Sequence, residues 1–367
     1  MFTIKNSSGN ITKIFAETFE SSAFDQVKNL SNHPAYQESK IRIMPDGHAG
    51  AGCTIGTTMT ITESGVAPNL VGVDIGCGML TVRLGKELPI SLEEIDKNIR
   101  KYVPSGFSVN EYPLEEFDFS GLKCKSSVDI SRAELALGSL GGGNHFIEIS
   151  LDDATGEYYL IIHSGSRKFG NDICKHYQKL ASEGKNLKGT SKDLEPLTGE
   201  DLKDYLNDMK IAQSYASENR NVIARTILSK CSLKNHGSFE TVHNYIDFKR
   251  MILRKGAVSA EKDELLLIPM NMRDGSLLCR GLGNEDWNFS APHGAGRKLS
   301  RSKAKEVLTM DSFKESMKDI FTTSVKESTL DESPDAYKDS EEILNSIVGT
   351  SVELIGRLKP VYNFKAS

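Results

Sequence analysis

LGGGNHFIEISLDDATGEYYLIIHSGSR, residues 140–167, decides the fold class. His145 stands at the head of the apolar run FIEI, and His163 closes the run YYLII. Each histidine therefore falls at the end of a strand where a glycine-crowded loop begins, lining a cleft. Runs at TIGTTMTI (54–61), MLTVRL (79–84), TVHNYIDF (241–248) and LLLIPM (265–270) predict further strands. Most of these strands precede irregular Gly-rich loops, and few regular helical crossovers follow them. A doubly wound parallel sheet fits that pattern poorly, and a mixed α+β fold fits it better.

Helices are predicted over 91–102, 171–181 and 200–230. In the last, Leu202, Leu206, Met209, Tyr215, Ala216, Val222, Ile223 and Ile227 fall mostly three or four apart, the mark of a buried stripe on a scaffold helix. Residues 185–200 and 325–342 read as loop-like or mobile. A chain of 367 residues could form one domain or two. The motifs run from Met44 to Lys305 without a Pro/Ser-rich linker, so a single domain over 1–367 is expected.

Composition narrows the function classes. Hydrophobic content of 38% with 26% charged residues is that of a soluble globular chain, and no stretch approaches the roughly 18–20 apolar residues of a membrane span. The N-terminus MFTIKNSSGNITKIF lacks the pattern of a secretory signal, so the cytoplasm is the default location. Six cysteines without a CxxC pair predict reduced thiols. A net charge of −5 argues against a general nucleic-acid coat. Locally the balance reverses: RKLSRSKAK (297–305) carries five cations and no acid, whereas DESPDAYKDSEE (331–342) is acidic. By itself such a basic run reads as a solvated helix face. Its place after the histidine-bearing turn APHGAG points to a phosphate-rich ligand.

Five of the eight histidines, His48, His145, His163, His243 and His293, sit in strings crowded with Gly, Asn, Pro or Ser. Imidazole is a common metal ligand and a competent nucleophile. In VGVDIGCGM (71–79), Asp74 and Cys77 lie three apart in a Gly-punctuated turn, so a carboxylate and a thiolate could face one point. An isolated buried Cys, or a lone His at a strand end, is more often structural. Three such histidines with Asp74 and Cys77 suffice for a binuclear centre. One metal would take Asp74, Cys77 and His145, and the other Cys77, His163 and His243, although spacing alone does not fix that pairing. The mixed N/O/S set suits Zn²⁺, Mn²⁺, Fe²⁺ or Co²⁺ better than Mg²⁺ or Ca²⁺. His293, between Pro292 and Gly294, has room to meet a bulky group. A nucleophile attacking a nucleotide α-phosphate and a further metal ligand both fit it.

GVDIGCGM, LGGGNHFIEI, HSGSR, HNY, RKGAVSA, RGLGNE and HGAGR occur in that order. Over residues 40–365 the chain resembles the RtcB family of GTP-dependent RNA-splicing ligases. The resemblance implies one large domain, with mixed sheets surrounded by helices around a deep metal-lined cleft. It implies two Mn²⁺ ions held by Asp74, Cys77, His145, His163 and His243, and guanylylation of His293. It implies a GTP site formed by Asn144, His145, Phe146, Ile147, Glu148, His243, Asn244, Pro269, Met270, Asn271, Met272, Ser276, His293, Gly294, Ala295, Gly296 and Lys365. Glu148 would accept hydrogen bonds from guanine N1–H and N2–H₂, a pattern adenine cannot offer.

The implied reaction joins an RNA 3′-phosphate or 2′,3′-cyclic phosphate to a 5′-hydroxyl, in tRNA splicing or RNA repair. Arg167, Lys168, Arg254, Lys255, Arg297 and Arg301 are candidates to guide RNA phosphates and triphosphate. Asp46 matches a family residue tied to activity, and His48 is assigned a substrate-side role. A monomer is the default, and an activating protein is left open. PMNMRDG (269–275) stands where many relatives have Pro-Gly-Ser-Met-Gly, so Met270 and Asn271 would reshape the nucleotide wall. Ala51 removes one potential cation, and APHGAGR replaces a more Cys/Ser-rich lead-in. Two other classes remain: a binuclear phosphoesterase acting on RNA ends without GTP, and an RNA-binding protein with a structural metal.

Overall fold

The computed structural model describes residues 1–183 and 192–366. An antiparallel seven-stranded sheet runs in the order Leu265–Asn271, Gly275–Gly281, Val352–Lys365, Phe146–Asp152, Glu157–Ser164, Gly78–Gly85 and Ser238–Val242. A six-stranded sheet runs in the order Phe2–Lys5, Ile11–Ile14, Ile41–His48, Ile55–Thr60, Ile252–Lys255 and Asn244–Asp247. In it one neighbouring pair is parallel and the others are antiparallel. Ala257–Ser259 and Ser290–Pro292 form a small third sheet. The fold is α+β, as the strand-to-loop pattern predicts.

FIEI and YYLII read as nearly continuous apolar runs because their strands are central in the larger sheet and covered on both faces. TVHNYIDF, expected as one strand, is two. Ser238–Val242 belongs to the seven-stranded sheet and Asn244–Asp247 to the six-stranded one, and His243 is the residue at which the chain crosses. Its carbonyl accepts from Gly256 N–H at 2.7 Å, and its own N–H donates to the Cys77 carbonyl at 2.9 Å. Backbone bonding to two separate elements interrupts the ladder there.

The helix Leu92–Tyr102 starts at a Ser91/Glu94 capping box, and the helix Arg167–Ser182 begins before the predicted 171. The helix Gly199–Lys230 buries the predicted stripe from Met209 to Ile227. Met209, Tyr215 and Val222 pack into one core, and Ile223 and Ile227 into a second, so the helix ties the two together. It also carries the fully buried polar side chains of Asn219 and Arg220. Asn219 donates to the Ser139 carbonyl at 3.1 Å and the Gly165 carbonyl at 3.1 Å; Arg220 donates to the Gly76 carbonyl at 2.7 Å and the Ser164 carbonyl at 2.8 Å. These bonds satisfy groups that burial would otherwise penalise, and they pin the loops that carry Cys77 and follow His163.

Segment 325–342, expected to be loop-like or mobile, is neither open nor solvated. It folds into the short turns Glu327–Glu332 and Pro334–Ala336, with Leu330, Glu332 and Ala336 buried. Opposite charge draws it inward, since Glu332 meets Lys365 and, at 3.2 Å, Arg297. Of the other expected loop, 185–191 lies outside the described residues, and beyond it Leu194 and Leu197 are buried. No helix among the described residues is long and apolar enough to cross a membrane.

Candidate active site

Strand register assembles the donors. Gly78 pairs with Ser164 and with Val242, and Phe146 pairs with His163. Cys77 precedes the first of these strands, His145 precedes the strand of Phe146, and His243 follows Val242. Four potential ligands thus gather at one end of four adjacent strands. Asp74 reaches them from the preceding turn, where Gly165 permits close approach; a Cβ there would lie 2.3 Å from Asp74 Oδ1.

The contacts form a chain. Asp74 Oδ2 lies 2.9 Å from His145 Nε2, Cys77 Sγ lies 3.4 Å from His145 Nε2 and 3.3 Å from His163 Nε2, and His163 Nε2 lies 3.4 Å from His243 Nε2. Cys77 is therefore the middle member. The Nδ1 atoms of His145 and His163 face the carbonyls of Leu140 at 2.9 Å and Asn144 at 3.1 Å. Carbonyls only accept, so each Nδ1 carries a proton; that leaves a lone pair on His163 Nε2, while His145 Nε2 lies against the Asp74 carboxylate.

Burial holds His163 and His243 neutral, well below the usual imidazole range. Burial also opposes ionisation of Asp74, but the hydrogen bond and charge of His145 outweigh it and bring the carboxyl down to about 2. Burial and Asp74 push the Cys77 thiol well up. The ring nitrogens of His163 and His243 approach each other although neither imidazole is charged, and the buried His243 Nδ1 has no hydrogen-bond partner among the described residues. Converging lone pairs with a thiol, two neutral rings and a carboxylate suit a borderline-soft divalent cation.

Next to this cluster, the His243 and His293 rings lie 5.1 Å apart between centroids. His293 Nδ1 is 2.6 Å from Oδ2 of Asp46, whose side chain is fully buried. Asp46 sits where the register of Ile41–His48 against Ile55–Thr60 shifts between Ile43 and His48. Gly296 lets the HGAG turn press on it; at φ +72° a Cβ would stand 2.3 Å from the Asp46 carbonyl oxygen. The Asp46 carbonyl in turn holds His48 Nδ1 at 2.9 Å. His48, His163, His243 and His293 all line one cavity of about 210 Å³.

A family model described as "RtcB: tRNA-splicing ligase RtcB" matches residues 26–123 and 115–366, nearly the whole chain. The chain belongs to the RtcB family. It is 32% identical to the RNA-splicing ligase RtcB of Escherichia coli (strain K12), over 93% of this chain and 93% of that protein. It is 26% identical to the tRNA-splicing ligase RtcB of Nanoarchaeum equitans (strain Kin4-M), over 95% and 92%. Identity to the RNA-splicing ligase RtcB homolog 1 of Entamoeba histolytica is 25%, over 93% and 83%.

Most of the nucleotide residues that membership in the RtcB family implies come together. Asn144, Phe146, Glu148, His243, Pro269 to Met272, Ser276, His293 to Gly296 and Lys365 line the cavity. His145, Ile147 and Asn244 do not. His145 faces the other side of the donor cluster, and Ile147 points into the core because alternate strand residues face opposite ways. Asn244 is held by the backbone, its Oδ1 accepting from Gly256 N–H at 2.9 Å. Met270 packs with Met44 in the core behind the wall, while Asn271 spends its side chain on its own turn with Arg273 and Asp274.

Glu148 accepts from Ser150 Oγ at 2.7 Å and Asn363 Nδ2 at 2.8 Å, and burial raises its carboxyl to about 7. Lys365 bridges to buried Glu332, which also accepts from Tyr337 Oη at 2.7 Å. Tyr337, Asn363 and Glu332 have no counterpart in the sequence reading. Tyr337 and Asn363 line the cavity without any local motif. Glu332 lies in the acidic stretch 331–342, within the segment expected to be loop-like.

The RNA candidates divide. Arg167 and Lys168 line a second cleft, and Arg297 and Arg301 line the cavity of His293. Arg254 and Lys255 are corrections. Arg254 is fully buried and bonds Ser290 Oγ at 2.9 Å, Tyr245 Oη at 2.8 Å and Asp247 at 3.3 Å. Lys255 Nζ donates to the carbonyls of Ala51 at 2.6 Å and Asn69 at 2.9 Å. Neither offers a cation to a phosphate, because the protein's own acceptors consume both. Arg254→Ala is expected to destabilise the fold by about 3–5 kcal/mol, read as a lower urea midpoint, because it strips several buried acceptors at once. An unchanged midpoint would contradict this structural role.

Proposed function

We propose that residues 1–367 act as one catalytic unit, an RNA ligase that joins 3′-phosphate or 2′,3′-cyclic phosphate ends to 5′-hydroxyl ends using GTP. The observation that carries the reading is the Asp46–His293 pair. With Nδ1–H directed at a buried carboxylate at 2.6 Å, the lone pair lies on Nε2, in a ring that lines the cavity. Attack by Nε2 on the α-phosphorus of GTP forms an N–P bond and breaks the bond to the β-phosphate oxygen, so pyrophosphate leaves with the electron pair. The ring gains positive charge, which Asp46 offsets. A cyclic end is first opened by water to a 3′-phosphate. An oxygen of that phosphate then attacks the bound GMP, the N–P bond breaks, and its pair returns to Nε2. The product is an RNA end activated as RNA-ppG. The 5′-hydroxyl oxygen finally displaces GMP, and loss of its proton balances the charge.

Asp74, Cys77 and His145 would hold one divalent ion, and Cys77, His163 and His243 a second, with Mn²⁺ the family's choice and Zn²⁺, Co²⁺ or Fe²⁺ compatible with the donors. Such ions supply polarisation of phosphoryl oxygens at each displacement. Arg301, half exposed on the cavity wall, would offset triphosphate charge, whereas Arg297 is spent on Glu332 and on the carbonyls of Leu299 and Asp331. The test is GTP-dependent joining of a 3′-phosphate RNA to a 5′-hydroxyl RNA. Release of phosphate without joining, and without any need for GTP, would replace the ligase by a phosphoesterase.

Guanine recognition gives a pH signature. Glu148 retains lone pairs beyond those used by Ser150 and Asn363, but only its carboxylate form can accept from both guanine N–H groups. Its carboxyl is raised to about 7, so protonation sets in as pH falls through neutrality. Guanosine affinity is expected to fall about tenfold from pH 8 to pH 6 by calorimetry. Glu148→Gln should bind weakly with a flat profile. A flat profile in the unsubstituted protein would exclude Glu148 as the reader of the base.

A further inference from the structure

The donor cluster is a partition between two spaces. His163 and His243 face the nucleotide cavity, whereas Asp74 and His145 face a second, open cleft of about 870 Å³. That cleft carries Arg132, Arg167, Lys168 and Lys175 against the carboxylates of Asp74 and Asp172, an excess of positive charge. Phe107 also lines it and is 96% exposed.

A single exposed apolar side chain means little by itself. Phe107 differs in how it is mounted. Gly106 takes φ +63°, its N–H donates to the Gly141 carbonyl at 2.9 Å, and its carbonyl accepts from Arg167 at 2.9 Å. The Phe107 carbonyl accepts from Arg132 at 2.8 Å, and Ser108 N–H closes the turn onto the Ser105 carbonyl at 3.1 Å. Two of the cleft's own cations thus fix the backbone under the ring, and the other anchor, Gly141, opens the loop that carries His145. The ring is held out into water beside the metal donors.

We propose that Phe107 is a stacking platform for an unpaired base of the 5′-hydroxyl RNA strand, which enters through this cleft. The proposal rests on the ligase reading. In an in-line displacement the hydroxyl approaches opposite the leaving GMP, and GMP belongs to the His293 side, so the hydroxyl strand comes from across the partition. A groove of cations with an exposed ring is the arrangement that binds single-stranded nucleic acid: phosphates meet the cations and a base covers the ring, with little dependence on sequence. Paired bases present no free face, so the strand must be unpaired near its 5′ end.

Phe107→Trp provides the probe, because the chain's one other tryptophan, Trp287, is buried. Titration of this variant with a 5′-hydroxyl single strand is expected to quench the indole at a concentration several-fold below that needed with a blunt duplex of the same sequence. In ligation, Phe107→Ala and Phe107→Leu should each raise KM for the 5′-hydroxyl strand about tenfold, the scale of one lost stack. KM for the 3′-phosphate strand and GMP loading of His293 should not move. Leu tracking the unsubstituted protein would show that apolar bulk and not stacking matters, and would overturn the proposal. So would equal quenching by duplex and single strand, or a change confined to the 3′-phosphate strand. Failure of the unsubstituted protein to join RNA would defeat the ligase reading instead, and indole quenching would still report whether the cleft takes a single strand.

Discussion

His293→Ala is expected to carry no label after incubation with α-labelled GTP and Mn²⁺, whereas the unsubstituted chain retains a base-stable, acid-labile label. Removing a nucleophile removes the covalent step itself, and losses on the order of 10⁴-fold or more in turnover follow when no other group can replace it. His48 and His243 share the cavity, but His243 points its Nε2 at His163, and His48 lacks a carboxylate on its Nδ1. Neither should substitute. Asp46→Asn tests the other half of the pair. An amide can present N–H to Nδ1 and reverse the tautomer, and it cannot offset the charge that develops on the ring. Adduct formation should slow by about 10²–10⁴-fold while the fold, followed by circular dichroism, is kept. A full-strength label in His293→Ala would exclude the residue as the attacking group.

Cys77→Ala should have the next largest effect, on metal content. Its sulfur is the middle member of the contact chain, between His145 at 3.4 Å and His163 at 3.3 Å, so both halves of the donor set lose a ligand together. Loss of one carboxylate in Asp74→Ala affects one half only. Elemental analysis after gel filtration should find Cys77→Ala nearly free of bound divalent metal and Asp74→Ala depleted by about half. Ligation in the cysteine variant should fall below detection. Because burial and Asp74 hold the free thiol protonated, metal uptake must release a proton, and binding should weaken as pH falls. Wild-type metal content in Cys77→Ala would contradict the shared-ligand arrangement.

Legibility in the sequence followed physical cause. The central strands were readable because two-sided burial leaves an unbroken apolar run, and the helix Gly199–Lys230 because its buried stripe repeats at helical spacing. His145, His163 and Cys77 were readable as candidates because glycine-rich turns around reactive side chains are costly without a purpose. The crossing at His243 was not, since two short strands in different sheets make one continuous β-branched run. Alternation along Phe146–Ile147–Glu148 did hold the information that Ile147 faces away from the cavity, and the family likeness obscured it. Long-range pairing was hidden in two places. Arg254 and Lys255 were candidates for RNA phosphates and are consumed by the protein's own acceptors, and Glu332, in a stretch expected to be loop-like, is buried and anchors Lys365. Such long-range pairing leaves no trace in local composition.

The fate of one labelled phosphate separates a GTP-dependent ligase from a phosphoesterase. An RNA carrying a radiolabelled 3′-phosphate is incubated with a 5′-hydroxyl RNA, GTP, Mn²⁺ and the protein, and the label is then challenged with phosphatase. If the protein is a GTP-dependent ligase, the label moves into a longer product as an internucleotide phosphate, resists phosphatase, and does so only when GTP is present. Label released as inorganic phosphate, or left phosphatase-sensitive on the original strand with GTP supplied, would contradict it.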